Sequence, residues 1–320
     1  MIAPDSPFHP DNLAGYQAWR AQKLAGYPQR AEELIVEVND PAQLSDDEYQ
    51  ALWQRLAKTG MAIYATDRGE AEDKDIPRAI AEQFGLNLLD ANWLADEDGI
   101  SSITPQDEGG QKRGENEVSV EANAGAAGVK PRSGDRSQFI PYTHHRIRWH
   151  TDGYYNPPER RIFAMMLHCV REAAEGGENE LFDPELAYIY LRDANPAHIR
   201  ALMAEDAMTI PARTDELGVA RPDETGPALL LDAGQLHLRY TARTKSIAWK
   251  QDAATQAAVQ ALEALLASGP AGVFKLKLRP GMGLICNNVL HTRSGFTDTP
   301  ERRRLLYRAR YHDHIRNLRT

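Results

Sequence analysis

Three side chains in this 320-residue sequence have the types and the order of a metal site. His150 and Asp152 are separated by one residue, and His291 follows an apolar run much later in the chain. In an extended strand the side chains of residues i and i+2 point to one face, so the first two could ligate the same ion. Two histidines and one carboxylate form the facial triad of non-haem iron(II) sites, which leaves coordination positions open. The spacing alone is weak evidence, because His-x-Asp also occurs by chance and His291 alone is more often a structural histidine. These three residues are therefore a candidate iron site.

The other histidines leave alternatives to this ligand set. The chain has ten histidines. His144 and His145 lie just upstream of the first ligand and are rival ligands. His168 lies inside an apolar run and is expected to be a hydrogen-bonded core residue. His312 and His314, close to the C-terminus, are expected at the surface.

A row of arginines near the end of the chain could bind an anion. Arg304, Arg308 and Arg310 alternate with apolar residues, so on a strand they share one face. Guanidinium groups that face a barrel interior are costly unless anions pair with them, and arginine binds carboxylates through a bidentate fork. A dicarboxylate bound to iron at one end would need such a group at its other end. The alternative is a solvated edge strand whose arginines pair with surface acids.

The elements that position these residues follow from apolar patterning and capping signals. Ser45 and Glu48 have the spacing of a capping box, Asp11 is a candidate N-cap, and Gly60 is expected to end the second helix. Helices are predicted over residues 11–25, 46–56, 76–84, 185–191, 196–204 and 253–266. Strands are predicted over residues 34–38, 61–64, 162–170, 228–231, 236–240, 273–278, 283–287 and 304–311. The opening is thus alternating α and β, and the many short strands of the second half favour a barrel or sandwich.

The chain is expected to be a single domain, residues 1–320, because no repeat or linker is visible. It would contain an N-terminal α/β portion (about 1–100), a loop insertion (about 104–136) and a core (about 139–311). The insertion lacks apolar periodicity and is either a mobile active-site loop or a tolerated insertion.

Composition excludes several classes of function. The net charge of −9 argues against a nucleic-acid partner, because phosphate contacts need clustered Lys and Arg. No stretch approaches the roughly 18 consecutive apolar residues of a membrane span, and the first residues do not look like a signal peptide. Cys169 and Cys286 lie in apolar runs and are expected to be buried free thiols, although one disulfide is possible. A cytoplasmic protein that acts on a small molecule is predicted.

Several motifs in one order resemble a known family. The segments WHTDGYYNPP, EGGENELFD, LICNNVLHTRSGFTD and RRRLLYRARY are similar to the taurine dioxygenase-like (TauD/TfdA) superfamily of Fe(II)/2-oxoglutarate-dependent dioxygenases, which includes the γ-butyrobetaine and trimethyllysine hydroxylases. The resemblance covers about Tyr142 to Tyr311. It implies an α+β fold with a double-stranded β-helix (jelly-roll) core, flanking helices and a long loop insertion. It also implies a homo-oligomer, a dimer or tetramer, since relatives often are.

The same resemblance implies an activity and residue roles. Iron(II), 2-oxoglutarate and O2 would together hydroxylate an unactivated C–H bond of a small polar or charged metabolite, with release of succinate and CO2. The three predicted ligands match the catalytic iron ligands. Arg304 matches the arginine that binds the distal carboxylate of 2-oxoglutarate, and Arg308 is similar to a second arginine that contacts an anionic substrate or the co-substrate. Where several relatives have threonine, this chain has Asn179, which can still donate a hydrogen bond to a carboxylate.

The substrate is less constrained by the sequence. Four residues are candidates for substrate contact: Tyr142, Tyr155, Asn156 and Tyr240. Tyrosines near the metal could form an aromatic cage for a quaternary ammonium group. Arg239 or Arg308 could instead pair with a carboxylate, a sulfonate or a phosphonate. Along the strand that contains Arg239, alternation places His237 and Arg239 on one face, and Leu236, Leu238 and Tyr240 on the other.

Two other functions use part of this pattern. A zinc- or manganese-dependent hydrolase or isomerase on a cupin-like barrel would need the same three ligands but not Arg304. A non-catalytic barrel that serves as a binding module would need no metal. The arginine row favours the oxygenase. Thr151, Asn287 and Asn288 are candidates to orient the ligands.

Overall fold

A computed structural model of the chain describes residues 2–91, 95–106, 136, 139–215, 218–243 and 245–319. Its α-helices are α1 (Leu13–Leu24), α2 (Asp46–Thr59), α3 (Asp75–Gln83), α4 (Pro184–Ala194), α5 (Pro196–Leu202) and α6 (Ala253–Ser268), and short 3-10 helices lie at Ala31–Leu34, Ile140–Tyr142 and Pro158–Arg160. The first ten strands are β1 (Ile35–Glu37), β2 (Met61–Ala65), β3 (Ser101–Ile103), β4 (Ile147–His150), β5 (Ala164–Arg171), β6 (Glu175–Gly176), β7 (Asn179–Phe182), β8 (Met208–Ile210), β9 (Arg213–Asp215) and β10 (Gly218–Arg221). The remaining strands are β11 (Glu224–Gly226), β12 (Leu229–Asp232), β13 (Gln235–Leu238), β14 (Ala248–Trp249), β15 (Val273–Leu276), β16 (Met282–Cys286), β17 (Leu290–Arg293), β18 (Phe296–Thr297) and β19 (Leu305–Tyr311).

The predicted helices are confirmed, with bounds that shift by a few residues. The capping box forms, since the Ser45 hydroxyl accepts the Glu48 N–H and the Glu48 carboxylate accepts the Ser45 N–H. Gly60 ends α2 in the left-handed conformation at φ 69°, which glycine adopts without steric cost. The prediction for Asp11 is wrong: Asn12 caps α1, because its side chain accepts the Gly15 N–H.

Two largely antiparallel sheets contain most of the longer strands in the second half of the chain. A six-stranded sheet has the order β1-β2-β16-β5-β19-β3, in which only the β1–β2 pair is parallel. A four-stranded antiparallel sheet has the order β15-β7-β17-β4. The short strands β8 to β14 form a three-stranded sheet, β11-β8-β14, and two pairs, β10-β9 and β12-β13. The fold is therefore a mixed α and β structure with largely antiparallel sheets.

Strand β5 separates two hydrophobic cores, which explains its nearly continuous apolar sequence. Met166 and Val170 pack into a core that includes Leu52 of α2 and Ile80 of α3. On the opposite face, Leu167 belongs to a larger core, to which α4, α5 and α6 also contribute. A strand that is buried on both faces needs apolar residues at every position rather than at alternate ones.

Strand β19 is internal to the six-stranded sheet, between β5 and β3. Its residues Leu305 and Tyr307 pack toward the α2 and α3 side. Leu306 belongs to the opposite core, on the side to which alternation assigns the arginine row. Only 5% of Arg304 and 5% of Arg310 is exposed. The alternative of a solvated edge strand is therefore wrong.

The two cysteines and His168 are buried, as the sequence predicts. Cys169 and Cys286 are buried free cysteines, so the possible disulfide is not formed, and burial raises the pKa of each thiol to about 12. His168 is a fully buried core residue whose Nδ1 lies 3.0 Å from the Tyr64 hydroxyl. The predicted loop insertion lies mostly outside the described residues. Among the residues that are described, no helix is long and apolar enough to cross a bilayer.

Candidate active site

Strands β4 and β17 bring the two predicted histidine ligands together. They pair antiparallel, with His150 directly opposite His291, and the two imidazole centroids are 4.1 Å apart. The ligand atoms of His150, Asp152 and His291 all lie within 4.8 Å of one another. Three residues separated by up to 141 positions therefore converge on one point, as the metal hypothesis requires.

Asp152 reaches this point differently from the strand alternation that the sequence suggested. β4 ends at His150, and Asp152 lies in the turn that follows. The Asn288 side chain holds this turn: its Oδ1 accepts the Asp152 N–H at 2.8 Å, and its Nδ2 donates to the Asp152 carbonyl at 2.8 Å and to the Ile162 carbonyl at 2.7 Å. Asn288 has φ 50°, a conformation that asparagine tolerates better than most residues. Of the three orienting candidates, Asn288 therefore acts directly on a predicted ligand.

Replacing Asn288 by glycine is expected to weaken Fe(II) binding by about 10- to 100-fold, the usual effect of losing an orienting group around a metal. Glycine tolerates the positive φ, so the change removes the hydrogen bonds without adding backbone strain. Anaerobic calorimetric titration with Fe(II) measures the affinity. Asn287→Ala is the matched control, because the described structure shows no hydrogen bond from the Asn287 side chain. Equal affinities of the two variants would contradict the orienting role.

Both imidazoles are held in the tautomer that a metal requires. His150 Nδ1 lies 2.9 Å from the Arg148 carbonyl, and His291 Nδ1 lies 2.9 Å from the Val289 carbonyl. Because a carbonyl only accepts, each Nδ1 carries the proton, and a neutral ring keeps a lone pair on Nε2. The Nε2 atoms lie 3.6 Å and 3.9 Å from Asp152 Oδ1. Burial, followed by the charge of His150, lowers the pKa of His291 to about 3, which favours the neutral ligand form.

The carboxylate of Asp152 is also in its ligand form. Burial alone would raise its pKa, but Arg308 and then His150 hold the pKa of Asp152 well below its ordinary value. Arg308 Nη1 lies 3.4 Å from Asp152 Oδ2, yet this buried oxygen has no hydrogen-bond partner among the described residues. A buried anionic oxygen with an unused lone pair, beside two neutral imidazoles, fits a divalent cation.

Arg304 is a buried guanidinium without an ion pair among the described residues. Its backbone N–H donates to Asp298 Oδ2 at 3.1 Å, and its side chain stacks on the Phe296 ring with 5.0 Å between the guanidinium carbon and the centroid. Burial lowers the pKa of Arg304 to about 10, so the group stays charged at neutral pH. Gly177 lies against it, since a Cβ at that position would be 3.5 Å from Arg304 Nε. A buried guanidinium without a carboxylate partner is suited to bind an anion from outside the chain.

Asn179 lies on β7, beside β17, and is buried. Its Nδ2 donates to the Thr292 carbonyl at 2.8 Å, and its Oδ1 has no partner among the described residues. Since a carboxylate can only accept, Asn179 can contact one solely through the second proton of its Nδ2.

Arg310, the third member of the arginine row, has a partner within the chain. Its Nη2 lies 2.6 Å from Asp90 Oδ2, and its Nη1 donates to the Tyr155 hydroxyl at 3.2 Å. Arg160 donates to the other oxygen of the same carboxylate at 2.9 Å. Arg310 therefore stabilises the fold around Tyr155, whereas Arg304 has no carboxylate partner among the described residues.

Replacing Asp90 by alanine is expected to lower the free energy of unfolding by about 3–5 kcal/mol, because it leaves the Arg310 charge buried without a carboxylate. Urea denaturation at neutral pH measures the change. Asp206→Ala is the control, since Asp206 pairs with Lys250 at an exposed position and its loss should have little effect. Similar stabilities of the two variants would show that the buried pair contributes little.

The predicted substrate residues lie in different surroundings. Tyr142 is fully buried, with Arg136 5.2 Å from its ring centroid, and Asn156 Nδ2 donates to the Arg160 carbonyl at 2.7 Å. Tyr155 receives the Arg310 hydrogen bond described above. Tyr240 lines a cavity of about 500 Å³ that none of the three predicted ligands lines. The structure therefore places Tyr155 near the arginine row and turns Tyr240 toward a separate cavity.

The rival histidines do not join the cluster. His144 Nε2 lies 3.7 Å from Asp298 Oδ2, and the described residues form no group of metal-binding type that includes His144 or His145. His312 and His314 are partly buried, with 17% of each side chain exposed. His312 Nε2 lies 3.6 Å from the buried Asp90, and His314 stacks on Phe163 and lies 2.8 Å from Asp232.

Comparison with known families agrees with this geometry. The model of the family described as taurine catabolism dioxygenase TauD, TfdA family matches residues 21–310. The chain belongs to the TauD/TfdA family. The match extends well beyond the segment from Tyr142 onward that carried the resemblance, into the N-terminal α/β portion.

Two curated relatives are named uridine-5′-phosphate dioxygenase. The protein from Amycolatopsis sp is 30% identical over 169 residues, which are 51% of this chain and 60% of that protein. The protein from Streptomyces sp is 31% identical over 184 residues, which are 56% of this chain and 66% of that protein. The matched region thus covers less than two thirds of each relative.

Solved structures share the fold at low sequence identity. An asparagine oxygenase in complex with Fe(II), 3-hydroxyasparagine and succinate has a TM-score of 0.53 at 15% identity, covering 87% of this chain and 94% of that one. The non-heme iron oxygenase OrfP, in complex with Fe and α-ketoglutaric acid, has a TM-score of 0.54 at 15% identity, covering 85% and 81%. AAD-2 in complex with Mn(II) and N-oxalylglycine has a TM-score of 0.56 at 14% identity, covering 90% and 97%.

Proposed function

We propose that this protein is an Fe(II)/2-oxoglutarate-dependent dioxygenase that hydroxylates an unactivated C–H bond of a small polar or charged metabolite. The observation that carries the proposal is the convergence of His150, Asp152 and His291 on one point. Iron bound there, with 2-oxoglutarate and O2, would supply the hydroxylation and release succinate and CO2. Family membership supports the same reaction class.

Each residue around the site has a separate task in this proposal. The three ligands hold the metal from one side and leave positions open for co-substrate and O2. Arg304 binds the distal carboxylate of 2-oxoglutarate through its fork, and stacking on Phe296 fixes the guanidinium plane. Arg308 keeps Asp152 ionised and lies where it can also contact an anion beside the metal. Asn179 is a further candidate for a co-substrate contact.

The buried state of Arg304 separates this function from its rivals. A zinc or manganese hydrolase or isomerase would not need a charged, unpaired guanidinium such as Arg304, whereas a co-substrate with a distal carboxylate does. A binding module without metal would not need two imidazoles with Nε2 lone pairs beside an orphaned carboxylate oxygen. Both features are costly in a folded protein, so each is best explained by a ligand.

The substrate is proposed to carry negative rather than positive charge. The hydroxyl of Tyr155 accepts a hydrogen bond from Arg310, and Arg308 lies beside Asp152. The Arg310 guanidinium, which donates to the Tyr155 hydroxyl, disfavours an aromatic cage for a quaternary ammonium ion at this tyrosine. Uridine 5′-phosphate, named for the curated relatives, is an anionic candidate. Tyr142 and Asn156 are retained as candidates for substrate contact.

Succinate formation tests the proposal. Purified protein with Fe(II), 2-oxoglutarate and O2 is assayed against a panel of anionic metabolites that includes uridine 5′-phosphate, with quaternary ammonium compounds as the contrasting set. We expect substrate-stimulated succinate release with an anionic compound and none when Zn(II) replaces Fe(II). Stimulation only by quaternary ammonium compounds would overturn the proposed charge preference, and turnover with Zn(II) would favour the hydrolase.

The fold type, the domain organisation, the location and the oligomeric state are also part of the proposal. The six-stranded and four-stranded sheets together are proposed to form a double-stranded β-helix, as the family resemblance implies. The chain is proposed to be one domain. A cytoplasmic location and a homo-oligomer, dimer or tetramer, remain predictions.

A further inference from the structure

A second arginine cluster lies beside the turn that carries Asp152. Arg239 follows β13, and its Nε donates to the Tyr154 carbonyl at 3.2 Å, two residues after Asp152. The next residue, Tyr240, donates its N–H to Thr151 Oγ1 at 3.2 Å. These two hydrogen bonds tie the segment to the residues on both sides of Asp152.

Arg239 is the most deeply buried arginine of the described structure and is poorly compensated. Only 1% of the residue is exposed, and Nη2 has no hydrogen-bond partner among the described residues. Nη1 reaches only the Pro227 carbonyl at 3.5 Å, and the nearest carboxylate oxygen, from Glu224, is 4.0 Å from Nη2. Burial lowers the pKa of Arg239 to about 10, so the guanidinium is charged at neutral pH.

The groups near Arg239 add positive charge rather than removing it. Arg161 and Arg221 both act to lower the pKa of Arg239. Arg161 Nε is itself buried without a partner in the described part of the chain. His237, on the same face of β13 by alternation, is kept neutral because burial, then Arg239 and Arg161, lowers its pKa to about 3. Glu224 is thus the one anionic group that acts on Arg239 among the described side chains.

Gly226, which has no side chain, leaves space for the guanidinium of Arg239. A Cβ on Gly226 would lie 2.9 Å from Arg239 Nη1, closer than real contacts allow. Gly226 does not have a positive φ, so its lack of a side chain matters for this contact rather than for backbone conformation. Arg304 stacks on Phe296, and the groups that act on its charge are Cys169 and Asp298 rather than the arginines of this cluster.

We propose that Arg239, together with Arg161 and Arg221, binds the phosphate group of a phosphorylated substrate. A phosphomonoester carries about 1.5 to 2 negative charges at neutral pH and three strong acceptor oxygens. Its three oxygens can accept hydrogen bonds from Arg239 Nη2 and Arg161 Nε at once. A carboxylate has only two oxygens and one negative charge. Because the cluster adjoins the Asp152 turn, a phosphate held there would place the rest of the substrate toward the metal. The identification of the anion as part of a substrate rests on the proposed function, whereas anion binding itself does not.

Calorimetric titration of metal-free protein with inorganic phosphate tests the site. We expect saturable binding to the unaltered protein and, in Arg239→Gln, binding at least about tenfold weaker, as expected from losing charge-assisted hydrogen bonds. Gly226→Ala keeps the charge but crowds Nη1, so it should weaken binding as well. Arg200→Gln, at an exposed arginine that pairs with Asp11, is the matched control and should bind phosphate as the unaltered protein does. Loss of binding in Arg304→Gln but not in Arg239→Gln would place the phosphate in the co-substrate site and overturn the proposal.

A structural role for Arg239 predicts a different result. If the arginine only stabilised the fold, Arg239→Gln would lower Tm in phosphate-free buffer, and phosphate would raise the Tm of both proteins alike. Our proposal expects little change in Tm without phosphate, and a rise with phosphate in the unaltered protein alone. Should Arg239→Gln fail to fold, the Gly226→Ala titration decides the question.

Phosphomonoesters distinguish a substrate group from free phosphate. Ribose 5-phosphate should displace inorganic phosphate, and ribose should not. Failure of ribose 5-phosphate to compete would overturn the assignment to a substrate. Since these titrations need no iron, phosphate binding in a protein that forms no complex with Fe(II) and 2-oxoglutarate would leave the anion site standing and refute the oxygenase. A protein that forms the complex with Fe(II) and 2-oxoglutarate but binds no phosphate would refute the anion site alone.

Discussion

Replacing Asp152 by alanine is expected to weaken Fe(II) binding by more than about 100-fold, beyond the range seen when only an orienting group is lost. Asp152 supplies the single carboxylate of the cluster, and its Oδ1 lies 3.6 Å from His150 Nε2 and 3.9 Å from His291 Nε2. Without it, two neutral imidazoles would hold a divalent cation beside the positive charge of Arg308. Anaerobic equilibrium dialysis with Fe(II) measures the affinity, and substrate-independent succinate release should fall with it.

His145→Ala is the matched control for the ligand variant. His145 lies upstream of β4, has the same side-chain chemistry as two of the ligands, and does not belong to the cluster. Its loss should leave Fe(II) affinity unchanged. If His145→Ala bound iron as poorly as Asp152→Ala, the ligand set would be wrong.

Replacing Arg304 by alanine is expected to raise the KM for 2-oxoglutarate by at least about 30-fold, which corresponds to the roughly 2 kcal/mol lower limit for truncating one partner of a buried charge pair. The affinity for Fe(II) should change little, because Arg304 is not part of the metal cluster. Steady-state kinetics with varied 2-oxoglutarate at saturating Fe(II) measure the effect.

Arg304→Lys refines this prediction. Lysine keeps the positive charge but loses the bidentate fork and the planar stacking on Phe296, so its KM should lie between those of the unaltered protein and Arg304→Ala. A KM for 2-oxoglutarate that is unchanged in Arg304→Ala would show that another group holds the distal carboxylate, and Arg308 would be tested next.

The sequence predicted which strand face the arginines share, but it did not predict which groups pair with them. The alternation of Arg304, Arg308 and Arg310 placed them on one face, because the period of a strand is fixed by its geometry. Their different states were not predictable. Arg310 is neutralised by Asp90, 220 positions away, while Arg304 has no such partner among the described residues. Only the assembled sheet reveals which charge is satisfied.

Asp152 shows a similar limit at the metal site. The His-x-Asp spacing suggested one strand face, but β4 ends at His150 and the Asn288 side chain, 136 positions away, fixes the turn. Asn288 was recognisable only as one of several polar residues near the ligands. The signal that could have singled it out is the Asn-Asn pair before β17, since asparagine tolerates the positive φ observed there.

The burial of Arg239 and the lack of a close carboxylate partner could not be predicted from alternation along its strand. Alternation placed it opposite Leu236, Leu238 and Tyr240, and those three residues do pack in the large core. The sequence gives no sign that Arg239 is almost fully buried or that its nearest carboxylate stays 4.0 Å away. Both facts arise from tertiary packing around the Asp152 turn.

One site is expected to bind iron through three side chains and 2-oxoglutarate through Arg304. Anaerobic absorption spectroscopy of the protein with Fe(II) and 2-oxoglutarate tests iron binding and co-substrate binding together. We expect a weak visible charge-transfer band that is absent in His150→Ala and greatly weakened in Arg304→Ala. A folded, unaltered protein that shows no band at saturating Fe(II) and 2-oxoglutarate would refute this assignment.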